Sequence, residues 1–317
     1  MKNRTRRAIG SSVLMLLLLL GLMLMTTGCT TEGAGNIVTK THSISDSFTE
    51  ISVDCAECNI RILPSEDGSV EVVCKEREKY PHSVSVREGK LVIEEPSRTE
   101  LFNILALTSE HTEVTIYLPE AVAAGCDLEL ESASGNFTMD QELSFRNCSI
   151  DCASGDINCR ASFSGELEIS AASGEIQLSN LSCEDLSVDC ASGSITLNTL
   201  DATGDIELEA ASGKIKVIGT HCRGLDAEVA SGSLTLEDVI AEKEIKGETA
   251  SGNISLLRCD AASYQLESSS GNIKGSVLSE MRFVAESSSG RINVPNTDGG
   301  TCRLYTDSGN IDIEIAK

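Results

Sequence analysis

From about residue 125 to the end of the chain, apolar residues fall at every second position in short bursts, and the bursts return about every 19 residues. Each pair of bursts flanks a Ser-Gly dipeptide, with its glycine at Gly135, Gly155, Gly174, Gly193, Gly213, Gly232, Gly252, Gly271, Gly290 and Gly309. Counting from the glycine, position +2 is Phe137, Ile157, Ile176, Ile195, Ile215, Leu234, Ile254, Ile273, Ile292 and Ile311. Position −7 is equally apolar, from Leu128 through Leu167 and Leu186 to Phe283 and Cys302. Offsets that step by two belong to strands and not to helices. Each repeat therefore predicts a strand of about six residues, a tight turn at Ser-Gly, a second strand of about four to five, and a looser return. Glycine at the turn supplies a positive φ that a Cβ would oppose.

A fixed period of this length is the mark of a repeat architecture. The fold class expected is all-β, a single-stranded β-solenoid of the parallel β-helix or β-roll type, with coils of about 19 residues stacked about 4.8 Å apart. Residues 37–125 alternate in the same way without the Ser-Gly marker, in Phe48-x-x-Ile51-x-Val53, Ile60-x-Ile62, Val70-x-Val72, Val84-x-Val86, Leu91 to Ile93 and Val114-x-Ile116-x-Leu118. Turn signals at Pro64 to Gly68 and Arg87-Glu88-Gly89-Lys90 separate these bursts. Terminal repeats are expected to be atypical, so 37–125 is read as irregular N-terminal coils and cap, and 126–317 as the regular solenoid of ten Ser-Gly repeats. An independent N-terminal β domain is the alternative. The interruption from Glu94 to Glu113 holds an apolar run, Leu101 to Leu107, that reads as a short covering helix or a contact patch. The last coil, Ile311 to Ile315, has no cap after it, which predicts a monomer able to associate end to end at high concentration.

The first 28 residues have the form of an export signal: Lys2, Arg4, Arg6 and Arg7, then an apolar core from Val13 to Met25. Thr26-Thr27-Gly28-Cys29 resembles the bacterial lipobox, whose cysteine becomes a lipidated N-terminus, although Thr26 stands where such signals usually carry Leu. That reading makes 1–28 a lipoprotein signal peptide, Cys29 the lipidation site and 29–36 a polar tether; an uncleaved membrane anchor is the alternative. The formal charge is −24 for the whole chain. Residues 1–28 hold four of the 25 basic and none of the 49 acidic residues, so the remainder carries −28. Such acidity argues against nucleic acid as a partner, because phosphate binding depends on Lys and Arg.

With the lipobox, a strand-rich lead-in closing on Val114-Thr115-Ile116-Tyr117-Leu118-Pro119, and serial Ala-Ser-Gly-x-Ile-x-Leu turns at Ala172 to Leu178 and Ala191 to Leu197, the chain resembles the putative-adhesin family of bacterial β-strand-repeat proteins, a domain of unknown function. The resemblance covers about residues 37 to 317. The lipobox reading places the protein on the extracytoplasmic face of the cell envelope, lipid-anchored, and the resemblance implies, for some members, a link to envelope stress responses.

Candidate chemistry is sparse. The ten serines before the glycines recur identically, whereas a catalytic serine needs one unique base and one oxyanion hole, so they read as turn residues. His42, His82, His111 and His221 share no motif spacing and read as solvated surface. Aromatic residues make up only 3% and Trp is absent, which weighs against a sugar-binding cleft and leaves a β-helix carbohydrate-active enzyme a remote reading. Position −4 holds Glu131, Asp151, Asp189, Glu209, Glu228, Glu248, Glu267 and Glu286, with Ser170 and Tyr305 as the exceptions. On a solenoid these acids form one outward row, in which neighbours about 5 Å apart repel by about 0.8 kcal/mol in water before salt screening. A plain solvated face and weak divalent-cation binding are the two readings of that row. No cofactor is otherwise implied. Of 13 cysteines, Cys148, Cys152, Cys159, Cys190 and Cys302 fall at inward offsets and read as small buried hydrophobes. Cys55-x-x-Cys58 reads as strand or turn cysteines, with redox or metal chemistry as the alternative, since no second pair stands at zinc spacing. The function expected is a non-enzymatic adhesin-like binding or scaffolding surface, and the rival is an envelope-stress sensor acting through the N-terminal segment.

Overall fold

The computed structural model describes residues 36–95 and 112–316. The signal region, Cys29, most of the tether, His111 and the apolar run at Leu101 to Leu107 lie outside these residues. Six strands come first: β1 (Ile37–Ile44), β2 (Glu50–Pro64), β3 (Val70–Arg77), β4 (Ser83–Arg87), β5 (Lys90–Glu94) and β6 (Thr112–Leu118), followed by one helical turn, α1 (Glu120–Ala123). The stack proper opens with β7 (Asp127–Ser134), β8 (Phe137–Met139), β9 (Ser144–Phe145), β10 (Cys148–Cys152), β11 (Ile157–Cys159) and β12 (Ser162–Phe163). Next, β13 (Leu167–Cys183), β14 (Leu186–Ala202), β15 (Asp205–Cys222), β16 (Gly224–Glu237), β17 (Ile240–Ser251) and β18 (Ile254–Ser270) bend round corners without losing their pairing. The chain closes with β19 (Ile273–Val277), β20 (Met281–Ser287), β21 (Ile292–Asn293), β22 (Gly300–Thr306) and β23 (Ile311–Ile315).

The protein is a β-solenoid of stacked parallel coils in matched register, broken by shifts between Ala241 and Glu244 and between Leu256 and Cys259. Leu167 pairs with Leu186, Leu186 with Ile206, Ile206 with Leu225, Leu225 with Ile245 and Ile245 with Tyr264. A regular coil buries seven alternating side chains, as in Leu167, Ile169, Ala171, Ile176, Leu178, Leu181 and Cys183. Each large one contributes about 1.5–3 kcal/mol by leaving water. The last two of the seven correct the expected loose return: it is a third strand segment, pairing Leu181 with Leu200 and Cys183 with Ala202. Its corner is a second row of left-handed residues, Asn180, Thr199, Gly219, Asp238 and Arg258, with φ between 52 and 57°.

The Ser-Gly glycines do more than turn the chain. Seven have φ between 128 and 156°, whereas Gly271, Gly290 and Gly309 do not share that conformation. All ten share close stacking: a Cβ on any of them would collide with the backbone carbonyl of the adjoining layer. That carbonyl is often satisfied by a hydroxyl three residues ahead of the next glycine, as in Thr249 Oγ1 to Gly232 O at 3.2 Å and Ser268 Oγ to Gly252 O at 3.0 Å.

Both ends of the stack depart from chain order. At the start, β2 lies between β5 and β6 on one side and β7 and β8 on the other, all parallel. Antiparallel strands cover the outer side: β4 on β5 through a tight turn with Glu88 and Gly89 at positive φ, β3 on β6, and β1 on β3. At the finish, β22 pairs with both β18 and β20, and β23 with both β19 and β21. The glycine row therefore runs Gly252, Gly271, Gly309, Gly290, and Thr306 and Ser287 hydrogen-bond to the carbonyls of Gly271 and Gly309 at 2.9 Å each. This corrects the expectation that Ile311 to Ile315 forms the open end. The open edge belongs to β20 and β21.

Candidate functional site

Parallel register converts the −4 positions into a continuous outward row. It runs Glu131, Asp151, Ser170, Asp189, Glu209, Glu228, Glu248, Glu267, then Tyr305 and Glu286. The N-terminal coils extend it by two acids that lack the Ser-Gly marker, Asp54 beside Glu131 and Glu94 beside Asp54. Two residues earlier along each strand, Glu129, Glu168, Glu207 and Asp226 project on the same face. Crowding is visible in the ionisation of these groups. Partial burial raises the pKa of Asp151, Glu168, Asp189, Glu209 and Asp226, and neighbouring carboxylates add to the shift; for Asp226, Lys246 pulls the other way.

Lys246 lies in the column beside the row, next to Asp226. Lys246 Nζ lies 2.7 Å from Glu228, 3.1 Å from Glu248 and 3.2 Å from Asp226. Lys90 similarly bridges Glu50 at 2.7 Å and Glu129 at 2.5 Å. Among the described residues, groups of three donors close enough to share one ion do not fall along this row. The row can collect cations by its field, while no pocket of carboxylates is shaped around one.

Such groups occur instead in the N-terminal cap. Cys55 and Cys58 lie on β2 where that strand turns its corner, and Cys58 occupies the layer on which Gly135 rests. His82 follows β3 in the link to β4, and Cys74 and Glu76 lie on β3. Ligand atoms of Cys55, Cys58 and His82 are all within 4.8 Å of one another, as are those of Cys74, Glu76 and His82. All five residues are buried. The surface reading of His82 is therefore overturned, because the β3–β4 link folds back over the coil; His221, by contrast, is exposed. The His82 backbone N–H donates to Glu76 Oε2 at 2.6 Å, and His82 Nδ1 meets the same oxygen at 2.9 Å. Lys40 Nζ pairs with Glu76 Oε1 at 2.8 Å. Burial opposes ionisation of Glu76, but Lys40 and His82 outweigh it and hold its carboxyl below the ordinary range. Hydrogen bonding from Cys55 and contact with His82 lower the Cys58 thiol, and the same pairing raises Cys55. Burial alone would lower His82, yet Cys58 and Glu76 raise it.

The remaining cysteines behave otherwise. All twelve described cysteines are free and buried. Burial pushes Cys159, Cys183, Cys222 and Cys302 up to about 12, as expected of thiols packed among Ile and Leu. Cys152 and Cys190 share a row with Ala171 between them.

The architecture defines a β-solenoid whose chemistry is repeated along its outer faces. The chain belongs to the Toastrack DUF4097 family, whose profile matches residues 48–314. No curated protein matches it. Among solved structures, a putative adhesin from Bacteroides fragilis is 13% identical over 88% of this chain and 97% of that one, with a TM-score of 0.43. A putative adhesin from Parabacteroides distasonis is 17% identical over 88% and 98%, with a TM-score of 0.48. A putative lipid binding protein from the same organism is 17% identical over 89% and 98%, with a TM-score of 0.49. Among the described residues no helix is long and apolar enough to cross a membrane.

Proposed function

We propose that this protein is a non-enzymatic, adhesin-like binding or scaffolding surface, held on the extracytoplasmic face of the cell envelope by lipid on Cys29. The observation that carries this reading is the acidic row, kept in register from Glu94 through Asp54 to Glu286. A surface that repeats one group layer after layer suits extended, multivalent contact, in which many weak interactions add along one rigid body. Its sign favours cationic ligands, or anionic ones bridged by divalent cations, and it repels an anionic membrane surface so that the rod stands clear of its own anchor.

The test is capture of envelope components by immobilised protein with and without divalent cations, comparing the wild type with an E209Q/E228Q/E248Q variant. Loss of the captured material in the variant supports the reading; equal capture by a correctly folded variant overturns the role given to the row. Metabolic labelling with a fatty acid, expected to disappear in C29A, tests the anchor separately.

A further inference from the structure

The buried donors in the cap serve none of the roles above, and their arrangement is that of a metal site. We propose that Cys55, Cys58 and His82 bind a soft divalent transition-metal ion of the zinc type, with Glu76 as the carboxylate that orients His82 and Cys74 as the nearest further thiol.

Three observations carry this. First, the donors of Cys55, Cys58 and His82 lie within 4.8 Å of one another and are buried. A tetrahedral ion with metal–sulfur bonds of about 2.3 Å and metal–nitrogen bonds of about 2.0–2.1 Å needs donors somewhat less than 4 Å apart, so side-chain rotation of about 1 Å closes the site. Second, His82 Nδ1 is committed to Glu76 at 2.9 Å, while the buried Nε2 makes no well-formed hydrogen bond and the ring's other interaction is with the Cys58 thiol. An orphaned buried nitrogen is costly, whereas a histidine whose other nitrogen is held by a carboxylate is the usual posture of a metal ligand. Third, the electrostatics favour a cation, because the charge of Glu95 acts on Cys55, Cys58 and His82 alike. Lys40 answers Glu76 at 2.8 Å, and binding a divalent ion would release the two thiol protons to solvent.

Softness of the donor set selects zinc-like ions over calcium or magnesium, which take oxygen ligands. The site also has a structural consequence. It would tie the β2 coil to the β3–β4 link, clamping the antiparallel cap onto the first layers of the solenoid. The acidic row lies on the outer face and takes no part, so this proposal and the proposed function can fail independently.

The experiment uses reduced, metal-stripped protein titrated with cobalt(II), then zinc(II). The expected result is one ion per chain, with visible ligand-field absorption of tetrahedral intensity and a thiolate-to-cobalt charge-transfer band, both bleached by zinc. C55S, C58S and H82Q should lose the spectrum, C152S and C190S should keep it, and E76Q should weaken zinc binding by about 10- to 100-fold. Should C58S fail to fold, H82Q and E76Q, together with the zinc-induced rise in wild-type melting temperature, decide the question. Absence of a thiolate–cobalt band in folded wild-type protein, an unchanged band in H82Q, or a Cys55–Cys58 disulfide in protein taken from its native envelope would each overturn the proposal.

Discussion

The two ends of this solenoid stop its growth in different ways. At the N-terminal end the strand direction reverses: β4, β3 and β1 run antiparallel to the coils they cover, and the exposed Lys40 of β1 reaches the buried Glu76–His82 pair. At the C-terminal end no reversal occurs. The chain skips a layer, lays down β20 and β21, and returns to fill the gap with β22 and β23. Parallel stacking has no intrinsic terminus, since every layer presents the same unpaired groups to the next, and such edges invite another chain. Reversal replaces the parallel edge by antiparallel β1 and β4, each paired on one side among the described residues. Skipping pairs β22 and β23 on both sides but leaves β20 and the two-residue β21 as the edge, with Val284 and Ile292 each 42% exposed. That edge is kept short, since Pro295 follows β21 within two residues.

The contrast can be broken or sharpened by experiment. The largest effect is expected in the glycine row. Gly213→Ala places a Cβ against the Gly193 carbonyl at φ 131° and should cost about 3 kcal/mol or more, read by denaturant unfolding. Gly290→Ala meets the Gly309 carbonyl just as closely, but in the edge layer, where fraying relieves the clash, so its cost should be well below that of Gly213→Ala. Equal costs would mean the C-terminal edge is as locked as the middle.

A smaller, opposite change belongs to the middle alone. Thr199 is β-branched yet holds φ 57° in the second corner row, where Asn180 and Gly219 supply residues suited to that conformation. Thr199→Asn should therefore stabilise by about 1 kcal/mol. A loss of stability would show that the threonine side chain holds the corner by a contact worth more than its strain.

Acid should act oppositely on the cap and the acidic face. Asp151, Glu168, Asp189, Glu209 and Asp226 have raised pKa values, so their ionised forms burden the fold at neutral pH, and that burden is relieved as pH falls through the folded values toward the ordinary carboxylate range. Glu76 is lowered, so its contribution is complete above the ordinary carboxylate value and is lost as pH falls through the folded one. The melting temperature should rise on mild acidification and fall again at lower pH; E76Q should retain the rise and flatten the fall. The smallest effect concerns the open edge. Sedimentation should show weak, concentration-dependent end-to-end association, lost in V284K with the melting temperature unchanged.

The regular coils were legible because one inward pattern is written out again and again. Ladders such as Leu167, Leu186 and Ile206 follow from counting residues between glycines. The skipped layer was not legible, because Gly271, Gly290 and Gly309 are evenly spaced whichever order they stack in. Only details mark it: Val284, apolar at an outward position, and Pro295 and Gly299–Gly300 in the segment that must cross back. The third strand segment was hidden by its shortness and by exposed polar residues at its corner. The Cys–His cluster escaped for another reason. Cys55-x-x-Cys58 invites a search for a second cysteine pair, whereas its partner here is one histidine brought over by the reversal after β3, with Glu76 two strand positions beyond Cys74. Cys55, Cys58, Cys74 and His82, taken together as donors, were the available signal.

The final coil lies inside the stack, between β18–β19 and β20–β21. Amide hydrogen exchange followed by mass spectrometry tests this directly, comparing peptides over Cys302–Thr306 with peptides over Phe283–Ser287. An interior β22 with partners on both sides should exchange at least about tenfold more slowly than edge β20, although it lies nearer the chain terminus. Faster exchange in the terminal segment than in Phe283–Ser287 would mean that the layers follow chain order and that the out-of-order closure is wrong.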